Sequence, residues 1–290
     1  MKRNLTLIFV TLFSLATFAQ NNKPWQLYDA AGEQVQFDRI FESVDSADVI
    51  LFGELHNNSI AHWAQIKLLK YLNTSGRELA LGMEMLETDN QLIIDEYATG
   101  YFDADKFERA ARLWSNYSTD YKPMVDYAIE NNLSVVATNI PRRYANMVSR
   151  EGFEVLKQLS EKAKSYIAPL PVPYDASLPG YQKMLKMMQG GPMGKRNNDN
   201  FPKAQAIKDA TMAHFILQYM PDKGVFLHLN GTYHSDNYEG IFWYLKKYVP
   251  DVKVVTIATR TQSDLSRLNE VNEQVADFIL VVDEDLTGSY

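Results

Sequence analysis

The sequence predicts an α/β protein with a mostly parallel sheet flanked by helices, and three observations carry that reading. Six short runs rich in Leu or β-branched residues, at 48–53, 79–84, 134–139, 225–230, 253–258 and 278–282, are continuously apolar rather than alternating, as strands covered on both faces are. Amphipathic stretches lie between them. The segment 59–72 spaces Ile60, Trp63, Ile66, Leu69 and Leu72 along one helical face, and Asn73 with Gly76 ends it. Further helical stretches are expected at 88–98, 104–114, 120–131 and 236–248. Strand alternating with helix is the signature of a doubly wound sheet with right-handed crossovers.

The segment 141–220 is too long for a simple crossover. It holds helical stretches at 153–166 and 202–219, a proline-rich passage APLPVPYDASLPG and a methionine-rich one, YQKMLKMMQGGPMG. It is expected to form a helical lid over one edge or end of the sheet, within a single domain spanning 20–290. GGPMGKRN has the wrong spacing for a phosphate loop, and Arg196 stands where Ser or Thr would hold magnesium.

At the start of the chain, Lys2 and Arg3 precede an apolar run from Leu5 to Phe18, and Thr17-Phe18-Ala19 offers small residues for cleavage. Residues 1–19 therefore read as a secretory signal, and the mature protein is expected to be secreted or periplasmic. The run falls short of a membrane span, and no later segment resembles one. There is no cysteine, which excludes disulfides, thiolate metal sites, a cysteine nucleophile and a lipid anchor on an N-terminal cysteine. The formal charge of −7 becomes −9 once Lys2 and Arg3 are removed, a poor balance for binding nucleic acid.

In open α/β sheets, ligands bind beyond the carboxyl ends of the strands. Four of the expected strands deliver polar residues there: Gly53-Glu54-Leu55-His56, Met83-Glu84-Met85, Thr138-Asn139 followed by Arg142 and Arg143, and Asn230-Gly231-Thr232-Tyr233-His234. Glu54, His56, Glu84 and His234 would suffice to hold Mn, Zn or Co with a position open for water. Without metal, His56 or His234 would act as a general base oriented by a carboxylate. Gly53 and Gly231 permit close backbone approach at the strand exits. His62 belongs either to this site or to an exposed helix face. His228 reads as a core histidine and His214 as a helix-packing residue. Arg142 and Arg143 would cap a helix or bind an anion, and Gln205, Asp209 and Met212 share a helix face that packs on the sheet or reaches the ligand.

Two G-x-x-H elements with a strand-end glutamate between them resemble the Tiki superfamily. LFGELHNNSIAH, LGMEMLETD, ATNIP, AQAIKDATMAH and HLNGTYH, in this order, are similar to its ChaN branch of haem-binding uptake proteins. The resemblance implies an α/β fold with a helical lid, haem as cofactor, a homodimer with stacked haems and a tyrosine on the iron. In the lid, Tyr174, Tyr181, Met184 and Met188 are the candidate haem contacts, either tyrosine being the expected iron ligand, and Met187, Met193, Lys183, Lys186, Lys195 and Arg196 lie nearby. Other branches of the superfamily imply an alternative, a metal-dependent peptidase or esterase that uses Glu54, His56, Glu84 and His234 as its catalytic set, with Arg143 or Arg260 on an oxyanion. A metal-free esterase is a third reading, although no G-x-S-x-G elbow is present.

Overall fold

A computed structural model describes residues 23–189 and 200–290, so the expected signal segment and Met193, Lys195 and Arg196 lie outside the described residues. The six apolar runs are strands β3 (Val49–Glu54), β4 (Leu79–Glu87), β5 (Ser134–Asn139), β6 (Val225–Gly231), β7 (Val254–Gln262) and β8 (Phe278–Asp283). Two strands were not legible in the sequence: β1 (Trp25–Asp29) and the two-residue β2 (Gln34–Val35). The sheet order is β2-β1-β8-β7-β3-β6-β4-β5. β3 to β8 pair in parallel, and β1 joins β8 and β2 antiparallel at one edge.

The continuous apolar runs face two layers. Ile50 and Phe52 of β3 turn toward helices α2 (Ser59–Thr74), α3 (Gln91–Ala98), α4 (Ala104–Ala110) and α5 (Lys122–Glu130), in a core with Leu68, Ile94, Phe107 and Val125. Val49 and Leu51 turn to the other side, toward α6 (Arg142–Glu151), α9 (Phe201–Tyr219) and α10 (Ile241–Tyr248), packing with Val148, Ile207 and Leu245. Strand residues of alternating direction thus both find apolar partners, which is why the runs do not alternate. The remaining helices are α1 (Asp38–Val44), α7 (Glu161–Lys164) and α8 (Pro179–Gln189).

The expected lid is only partly a lid. α6 and α9 belong to the layer that covers the sheet, and six of the eleven buried residues of α9 pack in its core. α8 leaves this layer to lie near the strand ends, where Tyr181 and Met184 pack with Ala206 of α9. The helix expected at 236–248 starts late, at Ile241, because Asn237 and Tyr238 have left-handed φ of 57°.

The end of the sheet opposite the strand exits is stitched by Arg77, between α2 and β4. Its guanidinium donates to the carbonyls of Val44 at 3.2 Å, Asp45 at 3.0 Å and Ala47 at 2.6 Å, and to that of Gly224. Arg77→Ala is expected to lower the unfolding free energy by about 2 kcal/mol, since it strips charge-assisted bonds from half-buried carbonyls. Urea denaturation checks this, and ligand binding at the far end of the sheet should not change.

Candidate functional site

The register of the central strands brings the two G-x-x-H elements together: Gly53 pairs with Asn230 and Glu54 with Gly231. On the other side of β6, pairing with β4 stops after Met83. Between Met83 and Glu87 the register against β5 shifts, so Glu84 leaves the ladder. Its carboxylate takes over the lost pairing and accepts the Gly231 N–H at 2.6 Å. Close approach explains the glycine here, because a Cβ on Gly231 would lie 2.7 Å from His56 Nε2 and 3.4 Å from a Glu84 oxygen.

Two carboxylate–histidine pairs result. His56 Nδ1 lies 2.9 Å from Glu54 Oε1, and His234 Nε2 lies 3.1 Å from Glu84 Oε1. Glu54 is buried and also accepts from Gln65 Nε2 at 2.6 Å and from the Tyr121 hydroxyl at 2.6 Å. Tyr121 and Asp120 sit in a single π-turn, Tyr117–Tyr121, ahead of α5, a local irregularity that often marks functional sites. Asn116 donates to Asp120 at 2.7 Å and to the His56 carbonyl at 3.0 Å, fixing the loop that carries the histidine. The Trp114 ring packs edge-on against His56 at 4.8 Å.

His234 is more deeply held. Asp209 Oδ1 lies 2.5 Å from its Nδ1, and the Gln205 amide lies 2.8 Å from the same nitrogen. Gln205 and Asp209 of α9 therefore reach the site, while Met212 lies in the core behind the sheet. Burial opposes charge on His234, but Glu84 and Asp209 outweigh it and raise its pKa to about 9. For Glu84, burial is outweighed by the His234 charge and its hydrogen bond, so the carboxyl falls well below the usual range. Burial would likewise raise Glu54, yet the bonds from its histidine and tyrosine neighbours hold it down to about 2. His56 loses some basicity to burial and regains more from Glu54 and Glu84, so it lies above the ordinary value. Asp209 rises, because burial prevails over its attraction to His234.

The four expected residues thus line one cavity of about 950 Å3, within the usual size range of small-molecule sites. Among the described residues no three His, Asp or Glu side chains are arranged to hold a metal ion, so the geometry gives the expected metal role of Glu54, His56, Glu84 and His234 no support. Most of the donors are instead paired with one another. Both His234 nitrogens face carboxylates, His56 Nδ1 faces Glu54, and the carboxylate oxygens accept from Gly231, Gln65 and Tyr121.

His62 belongs to the site's surroundings rather than to an exposed helix face: it is buried, 3.5 Å from Glu54 and 3.7 Å from Asp120. His228 is the expected core histidine, fully buried between Thr138 at 2.8 Å and Asn230 at 3.1 Å, and burial lowers its pKa to about 4. Arg142 joins Arg112 on the buried Glu87 and lines the cavity, whereas Arg143 pairs with Asp89 at 2.6 Å and Arg260 with Asp236 at 2.8 Å.

Of the lid residues, Met184 lines the large cavity and a smaller neighbour of about 370 Å3. Tyr181 lines only the smaller one, buried with its hydroxyl 3.4 Å from Asp209, and Tyr174 packs against it with ring centroids 5.4 Å apart. Burial, reinforced by Asp209, pushes the Tyr181 phenol far up, which disfavours a phenolate there. Met188 lies in α8. The tyrosines on the wall of the large cavity are instead Tyr233, within the second G-x-x-H, and Tyr290. Tyr233 was visible in the motif itself, whereas Tyr121, Asn116 and Asp120 have no sequence signal beyond their position after Trp114.

Comparison with known proteins places this geometry. A solved structure described as cofacial haem binding to ChaN of Campylobacter jejuni superposes with a TM-score of 0.68 at 18% identity, covering 90% of this chain and 98% of that one. A Bacillus cereus protein of known structure gives a TM-score of 0.52 at 13% identity, covering 86% and 92%. The Arabidopsis thaliana chloroplastic protein RETICULATA-RELATED 5 is 23% identical over 217 residues, 69% of this chain but only 29% of that protein. Residues 40–245 match the family described as haem-binding uptake, Tiki superfamily, ChaN, and the chain belongs to that family.

Proposed function

We propose that this protein binds haem in the strand-end cavity and serves haem or iron acquisition as an exported protein. The carrying observation is the cavity itself, at the sheet end where the family's two G-x-x-H elements meet. Its wall fits the group: Leu55, Leu113, Trp114, Ile140 and Met184 supply apolar surface, and Arg142 and Lys208 supply cations for the propionates. Tyr233 is the proposed iron ligand, since it lines that wall and is 52% exposed, unlike the buried Tyr181. Haem supplies the iron and the broad apolar surface; the chain supplies the slot, the cations and the phenol. Export is supported by Lys2, Arg3 and the apolar run after them. A homodimer is part of this reading through the family resemblance.

Purified protein titrated with haemin should give a saturable Soret shift, with affinity lowered at least tenfold in Tyr233→Phe and unchanged in Tyr181→Phe. A shift that never saturates, or one lost only in Tyr181→Phe, contradicts the assignment.

One observation favours a second activity at the same place. Glu54 holds His56 through Nδ1, and the ring, one-third exposed, turns Nε2 toward the cavity beside Gly231. A histidine so oriented can take a proton from water attacking an ester or amide carbonyl. Turnover of an ester panel that disappears in His56→Ala would support a hydrolase, and an inert protein removes it.

A further inference from the structure

We infer that residues 288–290, beyond β8, form an additional wall of the ligand cavity, with Ser289 as anchor and the Tyr290 ring as a ligand contact. The inference rests on the haem reading above and adds residues that the family match, which ends at residue 245, does not include.

β8 runs parallel to β7, so it ends at the same edge of the sheet as the two G-x-x-H elements. A turn follows, with Asp285 N–H donating to Asp283 Oδ1 at 2.9 Å and Leu286 N–H to the Asp283 carbonyl at 3.2 Å. The chain then lies against the loop after His56. The Gly288 Cα sits so close to Asn57 that a Cβ would fall 2.6 Å from its Nδ2. Ser289 donates twice: its N–H to the Asn57 carbonyl at 2.8 Å, and its hydroxyl to Asp120 Oδ2 at 2.7 Å.

The second bond decides the matter. Asp120 is a buried carboxylate, 5% exposed, and its other donor, Asn116, is the residue that fixes the His56 carbonyl. The segment is therefore fastened into the network that orients the site, not laid loosely on the surface. A hydrogen bond to a buried charged group is among the stronger anchors available to a short segment. What it holds in place is Tyr290, which lines the same cavity as Trp114 and Tyr233 while 66% of the residue stays exposed. An exposed ring fixed on the wall of a cavity offers a broad flat ligand a face to cover.

The experiment is a haemin titration followed at the Soret band, on the full chain and three single variants, with amide exchange of ligand-free protein measured alongside. Tyr290→Ala should weaken binding about tenfold, Tyr290→Phe should match the unaltered chain, and Ser289→Ala should weaken it about threefold. Ser289→Ala should also speed exchange at residues 55–58 and 288–290 without haemin. Tyr290 is 66% exposed, so its variants should unfold at the unaltered midpoint. Unchanged affinity in Tyr290→Ala, or equal weakening in Tyr290→Phe, overturns the wall while leaving the haem reading intact. Unaltered protein that takes up no haemin overturns both.

Discussion

Replacing Glu84 with leucine is expected to destabilise the protein by roughly 3–5 kcal/mol, the largest effect of any single substitution in the site. The carboxylate has two buried partners, the Gly231 N–H at 2.6 Å and His234 Nε2 at 3.1 Å. Leucine fills the space but satisfies neither. It strands a backbone donor where β4 has already left β6, and removes one of the two anions that keep His234 charged. Glu84→Gln keeps an acceptor for Gly231 and loses only the charge, so about half the cost should remain. Denaturant midpoints at pH 6 give both values. A loss under about 1 kcal/mol in the leucine variant would mean that the carboxylate is solvated rather than paired.

His234→Gln is expected to remove most of the alkaline dependence of stability. The histidine titrates near 9 in the folded state, against an ordinary value of 6.5, because Glu84 and Asp209 outweigh its burial. A group raised on folding contributes stability that is complete below the unfolded pKa and lost as pH climbs through the folded one. The window here runs from 6.5 to about 9, and the contribution is on the order of 3 kcal/mol. His56 is raised as well, so a smaller slope of the same sign should persist in the variant. His228 provides an internal reference of opposite sign: its pKa is lowered to about 4 by burial, so its contribution is complete above 6.5 and lost as pH falls through 4. Stability measured from pH 6 to 10 should therefore show the alkaline limb flattened in His234→Gln, while the acid side changes as well because Glu84 loses the charge that holds its carboxyl low. An unchanged alkaline limb would contradict the buried ion pair.

Most of the sheet was legible in the sequence because two-sided burial writes itself as unbroken apolar runs, and each of the six became a strand. The edge strands β1 and β2 were not, since β1 carries mixed residues and β2 is two residues long, too short for any pattern. The convergence of Glu54, His56, Glu84 and His234 followed from a rule of topology, that parallel strands present their carboxyl ends together. What they do there did not follow. Asp209 and Gln205 lie on a helix whose face could be seen but whose partner, the His234 Nδ1, could not. The proline-flanked position in the lid favoured Tyr174 and Tyr181, whereas the Tyr181 hydroxyl lies against Asp209 and Tyr233 lines the cavity. Tyr121 and Asp120 depend on a π-turn, a backbone irregularity with no periodicity to read.

Where the haem lies is the measurement that tests the account most directly. Amide spectra of the protein bound to paramagnetic ferric haem, compared with those of a diamagnetic metalloporphyrin, report proximity to the iron. Broadening should centre on residues 53–57, 113–116 and 231–234, the strand exits that surround the cavity. Broadening centred instead on the β2 edge of the sheet, or on the surface around Lys157 and Pro171, would contradict the claim that the paired G-x-x-H elements build the haem site.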